Sequence, residues 1–283
     1  MVKELNGREL AGFVKERQAY VVREMLAEGK PAPKLVIIRD SDNPVIVKYV
    51  ELKKRYGEDI GVVVEDKPVS SIDEAKAAVT AANEDSSISG MIVQLPLKDT
   101  ARTDEVVNLI APEKDVDGLS QVGISEDGSG ASTAEAAPTR KFESATATAI
   151  NWLLTGYNVE LRERKIALVG RGRLVGGPLE RMWNASGYDV TVFGHDSDMS
   201  LLSNFDIIVS ATGVPHLIKS DMVQTGAVIV DAGTASEDGV LVGDVDDEVR
   251  AREDLAAITP KIGGVGPLTV SVLFEDVIAA ANG

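Results

Sequence analysis

The sequence has no cysteine, only two histidines, and far fewer basic than acidic residues. Each shortage excludes something. Without cysteine there is no disulfide framework, no thiolate nucleophile and no cysteine-ligated metal. His195 and His216 alone cannot build a histidine-rich metal centre. With 29 Lys and Arg against 45 Asp and Glu, the formal charge is −16. Nucleic acid is therefore not an expected partner, because neutralising phosphates needs a basic surface. No apolar run approaches the roughly 20 residues that span a bilayer. The start, Met-Val-Lys-Glu-Leu-Asn-Gly, lacks the apolar region of a signal peptide. The expectation is a soluble cytoplasmic protein with no membrane partner. What remains is a chain of 283 residues, 44% of them hydrophobic, enough for two modest domains or one large one with packed cores.

Apolar strand-like runs alternate with helical segments throughout, as in a parallel α/β sheet. In the first half the pattern predicts strands over 35–38, 61–64 and 90–95, and helices over about 4–28, 44–56 and 71–83. Asn43 is an N-cap ahead of Pro44 at the first helical position, and Gly57 is expected to close that helix. Residues 120–135, rich in Gly, Ser, Ala and acidic side chains, read as a surface excursion or linker. A helix over about 144–155 follows. The second half adds strands at 165–169, 189–193, 207–210, 228–231 and 257–259, then an apolar helix over 268–281 after Gly266-Pro267. There is no internal repeat and no low-complexity segment.

Between the strand at 165–169 and a following helix lies Gly170-Arg171-Gly172-Arg173-Leu174-Val175-Gly176-Gly177-Pro178. This is where a dinucleotide-binding turn belongs. Gly170 and Gly172 let the backbone turn tightly and approach a pyrophosphate, and the helix that follows points free N–H groups at the anion. The spacing, G-x-G-x-x-x-G, is one residue longer than the common form, and a Gly-rich turn alone also fits a simple tight loop. His195-Asp196-Ser197 ends the next strand, the position from which such folds read the adenosine ribose.

A second constellation lies in the first half. Tyr49 and Lys53 are four apart and share a helix face. They fit a solvated surface pair, or an acid/base lysine held beside a phenol. The second role needs a lysine pKa lowered toward the working pH, and Lys48, Lys54 and Arg55 are placed to lower it by like-charge repulsion. Gln94 ends an apolar strand, and open α/β sheets bind ligands at the carboxyl ends of their strands. Asp115-Val116-Asp117-Gly118 follows in a loop, where two aspartates can be caps, turn formers or a metal site.

Tyr49-x-x-x-Lys53, Val93-Gln94-Leu95-Pro96-Leu97, Pro112-Glu113-Lys114-Asp115-Val116-Asp117-Gly118, Gly170-Arg171-Gly172-x-x-Val175-Gly176-x-Pro178-Leu179 and Gly263-Gly264-Val265-Gly266-Pro267-Leu268-Thr269 occur in this order. Together they resemble the bifunctional methylenetetrahydrofolate dehydrogenase/methenyltetrahydrofolate cyclohydrolase family. The resemblance implies two α/β domains, the second Rossmann-like, with a C-terminal helix returning to the first. Residues 1–140 with 267–283 would form the folate and catalytic domain, and 141–266 the NAD(P)-binding domain. The implied activity is NADP-dependent oxidation of methylenetetrahydrofolate to methenyltetrahydrofolate, then hydrolysis to formyl-tetrahydrofolate.

By the same resemblance Lys53 would be the acid/base residue of the hydrolysis, and Tyr49 would orient it and the folate ring. Gln94 would hydrogen-bond Lys53, Gln94 and Leu95 would contact substrate, and Asp117 would bind the pterin. Gly263 and Gly264 would allow close backbone approach to the ligand. Cofactor binding would fall to Gly170, Arg171, Gly172, Arg173, Gly176, Asp196 and Thr234. The partners implied are tetrahydrofolate one-carbon derivatives and a second copy of the chain, in a homodimer formed through the Rossmann-like domain.

Besides Asp196, the sequence departs from the family's pattern in four places. Ile46 replaces a serine, Ser144-Ala145-Thr146-Ala147-Thr148-Ala149 replaces Pro-Cys-Thr-Pro-x-Gly, Lys261-Ile262 replaces Val-Pro, and Gly172 replaces a serine. None removes the lysine, glutamine or aspartate. Arg171, with Arg173 nearby, offers a guanidinium fork to the 2′-phosphate of NADP. Asp196, where the family has serine, would accept the 2′-hydroxyl of NAD instead. NADP is the expected cofactor, with NAD possible because of Asp196. His195 and His216 are expected to be non-catalytic. Two alternatives stand beside this reading. A shikimate- or amino-acid-type dehydrogenase is opposed by Lys-Asp-Val-Asp-Gly and Gly-Gly-Val-Gly-Pro, and a non-catalytic folate- or nucleotide-binding protein is opposed by the retained Lys53.

Overall fold

A computed structural model describes residues 1–121, 141–237 and 240–283. Most of the expected linker, 122–135, lies outside the described residues. In chain order the elements are β1 (Lys3–Glu4), α1 (Gly7–Ala27), β2 (Lys34–Arg39), α2 (Pro44–Ile60), β3 (Val63–Pro68), α3 (Ile72–Glu84), β4 (Gly90–Val93) and α4 (Thr103–Val107), then α5 (Ala145–Gly156), β5 (Lys165–Val169), α6 (Gly176–Ala185), β6 (Asp189–Phe193), β7 (Ile207–Ser210), β8 (Val228–Asp231), β9 (Ala235–Glu237), β10 (Val240–Val242), α7 (Asp247–Arg250), β11 (Ala257–Ile258) and α8 (Val265–Asn282). The chain divides into two compact α/β units, one of residues 1–11 and 146–269, the other of residues 12–145 and 270–283.

The unit of residues 12–145 and 270–283 is built on a parallel sheet of order β3-β2-β4. β2 is central, and Leu35, Val36, Ile37 and Ile38 are all buried, the unbroken apolar run of a strand covered on both faces. Val36, Ile38, Met91 and Val93 pack with Ile72, Ala75 and Val79 of α3 in one core. The later part of α8 belongs to this unit. Phe274 stacks on Tyr56 with ring centroids 4.9 Å apart. Gln18 of α1 donates to Ser271 O and to Glu275 Oε2, both at 2.8 Å. α8 is long and apolar enough to cross a membrane by length and composition, and its 18 residues make it longer than the apolar helix expected over 268–281. Its Leu268, Val272, Leu273, Phe274 and Val277 are buried within the protein, as in a core helix.

The other unit carries a parallel six-stranded sheet of order β1-β11-β8-β7-β5-β6. β6 lies on one side of β5 and β7 on the other, so the strand order reverses beside β5. Such a reversal opens a ligand crevice at the carboxyl ends of the strands. Ala167, Val169, Ile208, Ile229 and Val249 form its core with Phe193 and Leu202.

Several boundaries differ from the sequence expectation for identifiable reasons. The first helix starts at Gly7 rather than about residue 4, because Lys3 and Glu4 pair with Ala257 and Ile258. Asn6 Oδ1 then accepts from Arg8 N and Glu9 N. Gly57 does not close α2. The helix runs on to Ile60 and ends at Gly61, whose φ of 84° a side chain would strain. Residues 61–62 are thereby used in the cap, and the strand expected over 61–64 begins at Val63. α8 begins at Val265, ahead of Gly266-Pro267, since proline is tolerated in a first helical turn whose N–H groups lack partners.

Candidate active site

Asn43 Oδ1 accepts from Val45 N at 2.9 Å, and Pro44 sets the first φ of α2. This start turns Ile46, Val50 and Ile60 into the core and leaves Tyr49 and Lys53 half-buried on an adjoining face. Ile46, a departure from the family pattern, is thus a core residue here. Gln94 follows β4, where Gln94 N donates to Ile38 O at 2.8 Å and extends the strand pairing by one bond. Lys53 Nζ donates to Gln94 Oε1 at 2.7 Å. The Gln94 Nε2 donates to Leu95 O at 3.2 Å, which turns the amide oxygen toward the lysine.

Asp117 is held by its loop. Asp115 accepts from Leu119 N and Ser120 N. Gly118 has φ 60°, and a Cβ there would lie 2.4 Å from the Glu143 carbonyl carbon, so only glycine fits. The Asp117 carboxylate makes no hydrogen bond to any described residue and interacts instead with the charges of Lys53 and Asp115. Burial raises its pKa to about 6, although Lys53 pulls it down. The Lys53 ammonium is pushed below the ordinary lysine range by burial, against the pull of Asp117. This corrects the expected cause, since neither Lys48, Lys54 nor Arg55 contributes. Tyr49 has its phenol pKa raised by burial.

Asp276 of α8 joins this group and was missed in the sequence. Burial, then the neighbouring charges of Glu275 and Asp117, raises its carboxyl to about 8. The available signal was that Glu275 and Asp276 are the only charges in the apolar tail 265–283. A lysine short of water, an oriented amide and two raised carboxyls can hold and pass protons near neutral pH.

The residues of the glycine-rich turn, with Asp196, Thr234, Gly263 and Gly264, all belong to the other unit. Gly170 has φ 95° and donates its N–H to Phe193 O at 2.9 Å. A Cβ on Gly176 would lie 2.0 Å from Gly170 O, which locks the helix against the turn, whereas one on Gly172 would meet nothing within 4 Å. The open space over Gly172, beside the start of α6, is a cradle that fits a pyrophosphate. Arg171 is exposed, and its Nε donates to Glu180 Oε2 at 2.5 Å. Arg173 is half-buried, and Asp196 is fully exposed beside His195. Thr234 is exposed, its carbonyl oxygen 3.6 Å from where a Gly213 Cβ would sit. Gly263, at φ 94°, accepts from Arg8 N at 2.9 Å. Gly264 O lies so close to Gly7 that no side chain fits at residue 7. His216 lies in a turn at φ 55°, 3.8 Å from Asp246 Oδ2.

Two parallel α/β units, one with a glycine turn at the switch point of its sheet, define a two-domain dehydrogenase-type enzyme. The comparisons narrow this class. Residues 5–117 match the tetrahydrofolate dehydrogenase/cyclohydrolase catalytic domain, and residues 144–283 match the NAD(P)-binding domain of the same family. The chain belongs to the tetrahydrofolate dehydrogenase/cyclohydrolase family. It is 34% identical over 285 residues to the bifunctional protein FolD of Halothermothrix orenii, covering 99% of this chain and 98% of that one. Its structure resembles the bifunctional FolD methylenetetrahydrofolate dehydrogenase/cyclohydrolase of Campylobacter jejuni, with a TM-score of 0.87, 30% identity, and coverage of 100% and 99% of the two chains. It also resembles the Trypanosoma brucei dehydrogenase-cyclohydrolase complexed with NADP cofactor and inhibitor, with a TM-score of 0.86, 27% identity, and coverage of 99% and 97%.

Proposed function

We propose that this chain oxidises methylenetetrahydrofolate to methenyltetrahydrofolate with NADP and hydrolyses the product to formyl-tetrahydrofolate. The observation that carries the reading is the 2.7 Å bond from a desolvated Lys53 to an oriented Gln94, with Asp117 in electrostatic reach. Lys53 Nζ takes one proton from the water that attacks the methenyl carbon and gives it to the folate nitrogen as that carbon–nitrogen bond breaks, while the remaining hydroxyl proton leaves to solvent as the formyl C=O forms. Gln94 holds the lysine in place, and Tyr49 and Leu95 position the folate beside it. Asp117 accepts from the N–H edge of the pterin, and Gly263 and Gly264 let backbone approach the ligand.

NADP, when bound, supplies the hydride acceptor. Gly170, Gly172 and Gly176 would admit its pyrophosphate, and Arg171 and Arg173 its 2′-phosphate, with Asp196 and Thr234 at the same end of the sheet. We assign 1–140 with 267–283 to folate and catalysis and 141–266 to the cofactor. We further propose a cytoplasmic homodimer, acting without nucleic acid or membrane. Among the described residues, β6 ends its sheet with one edge unpaired, a surface able to pair with a second copy.

The test is turnover of methylenetetrahydrofolate with NADP and with NAD in parallel, followed by release of formyl-tetrahydrofolate. Reduction of NADP with formation of the formyl product is expected. Absence of turnover with both cofactors, in protein shown to be folded, sinks the reading.

A further inference from the structure

Arg171 leaves the end of β5 and Asp196 leaves the end of β6, and these strands are neighbours in register, Val169 beside Phe193. The two side chains therefore stand at one end of the sheet, where the adenosine ribose of a dinucleotide is read. The cation there is already engaged. Arg171 Nε donates to Glu180 Oε2 at 2.5 Å, and the arginine side chain is 66% exposed while the glutamate is 17% exposed. Glu180 is the anchored partner. It lies on α6 one residue after Leu179 and three before Trp183, both of which are buried. Arg171 docks on it from the solvent side.

This pairing has two consequences. The guanidinium has five N–H donors in a fixed plane, and spending Nε on Glu180 fixes that plane while leaving the terminal nitrogens for a ligand. The carboxylate also cancels the arginine's charge at the place where a 2′-phosphate would need it. Asp196 adds a second carboxylate, fully exposed and 3.1 Å from His195 Nδ1. Arg173 is the other cation of the turn, and Arg181 lies on α6 beside Glu180.

We propose that Glu180 is a specificity-determining residue for the dinucleotide, one that narrows the preference for a 2′-phosphate over a 2′-hydroxyl by neutralising Arg171. This rests on the reading that the turn after β5 holds the cofactor's adenosine end. The wild-type protein should bind NADP more tightly than NAD by less than about tenfold, a gap of about 1.4 kcal/mol.

The experiment measures dissociation constants of NADP and NAD by calorimetric titration of the whole protein, without folate. In Glu180→Gln the NADP constant should fall about five- to tenfold while the NAD constant stays within about twofold. In the double variant Arg171→Ala, Glu180→Gln that gain should vanish, and the gain itself should shrink in high salt. A purely structural Glu180 would move both constants together, which overturns the proposal, as does an unchanged ratio. Weaker NADP binding in Glu180→Gln overturns it too, since it would make Glu180 an aid to phosphate binding. Should Glu180→Gln fail to fold, Glu180→Ser removes the same charge and is read in the same way. If the wild-type protein binds neither dinucleotide, the reading of the turn fails along with the inference. If both bind and only the ratio is insensitive, the inference alone fails.

Discussion

A lysine carries protons near neutral pH only when its charge is costly to keep, and at Lys53 the cost comes from burial. Gln94 offers a single acceptor, and the nearest opposing charge, Asp117, is itself raised to about 6 by burial. Lys53→Met should therefore lower methenyl hydrolysis by about 10²–10⁴-fold, the usual worth of general acid–base catalysis, and leave part of the dehydrogenase activity. Gln94→Ala should cause a smaller loss of the same step. Asp117→Ala should raise the KM for folate in both activities. Hydrolysis unharmed in folded Lys53→Met would return Tyr49 and Lys53 to a surface pair. These residues were legible in the sequence because each lies at a position that topology makes informative: a shared helix face, a strand end, the loop beyond it. The cause of the lysine's shift was not legible. Charges adjacent in sequence suggested repulsion, but on a helix residues one, two or five positions from Lys53 point away from it, while desolvation depends on neighbours that only the tertiary fold supplies. Glu180 and Asp276 were missed for a related reason. One meets Arg171 only after the chain turns at Gly176, and the other reads as an interruption in an apolar tail until α8 is set beside the Asp117 loop.

Elements were legible wherever period and caps agreed. The strands at 165–169, 189–193, 207–210 and 228–231 form as the apolar pattern predicts. Gly57 shows where local signals mislead, because a glycine near the end of a helical pattern has two uses. As a cap it would need a left-handed backbone, and Gly61 has that conformation instead. Gly57 is helical, and its missing side chain makes room for β3. A Cβ there would lie 2.5 Å from Val64 Cγ2 and 2.9 Å from Val62 O. Helix propensity alone says that Gly57→Ala should stabilise by about 1 kcal/mol. The contact to backbone says otherwise, and overpacking of this kind costs about 1–3 kcal/mol. We expect Gly57→Ala to be net destabilising in urea denaturation, with an unchanged m-value. Gly12→Ala, in α1 with open space around it, should be neutral or stabilising. A stabilised Gly57→Ala would show that α2 and β3 part easily at this point.

For the whole molecule, charge and burial act on stability through different parts of the pH range. Paired surface carboxylates such as Glu105, held at about 2 by Arg102 and Lys76, favour the folded state above the unfolded pKa of about 4. That contribution is lost only as the pH falls below this value. The buried carboxyls act in the opposite sense. Asp117 and Asp276 release protons at about 6 and about 8 in the folded chain, against about 4 when unfolded. Between those limits the folded state binds more protons, so stability is highest on the acid side and falls as the pH rises through about 8. The formal charge of −16 adds self-repulsion, which salt screens at the surface far more than in the interior. The Tm should therefore decline from about pH 5.5 to about pH 9 in dilute buffer, within the window those shifts set. About 0.5 M NaCl should raise the curve without flattening it, because a shorter Debye length relieves the surface repulsion and leaves the buried carboxyls largely unscreened. Asp276→Asn keeps the side chain's shape and removes its titration, so it should flatten the curve above about pH 7, where the other carboxyls have already ionised. Asp42→Asn, at an exposed carboxylate, should shift the curve without changing its slope. Calorimetric scans of the three proteins across that pH range decide the matter, and parallel curves for the wild type and Asp276→Asn would show that Asp276 is already ionised in the folded chain.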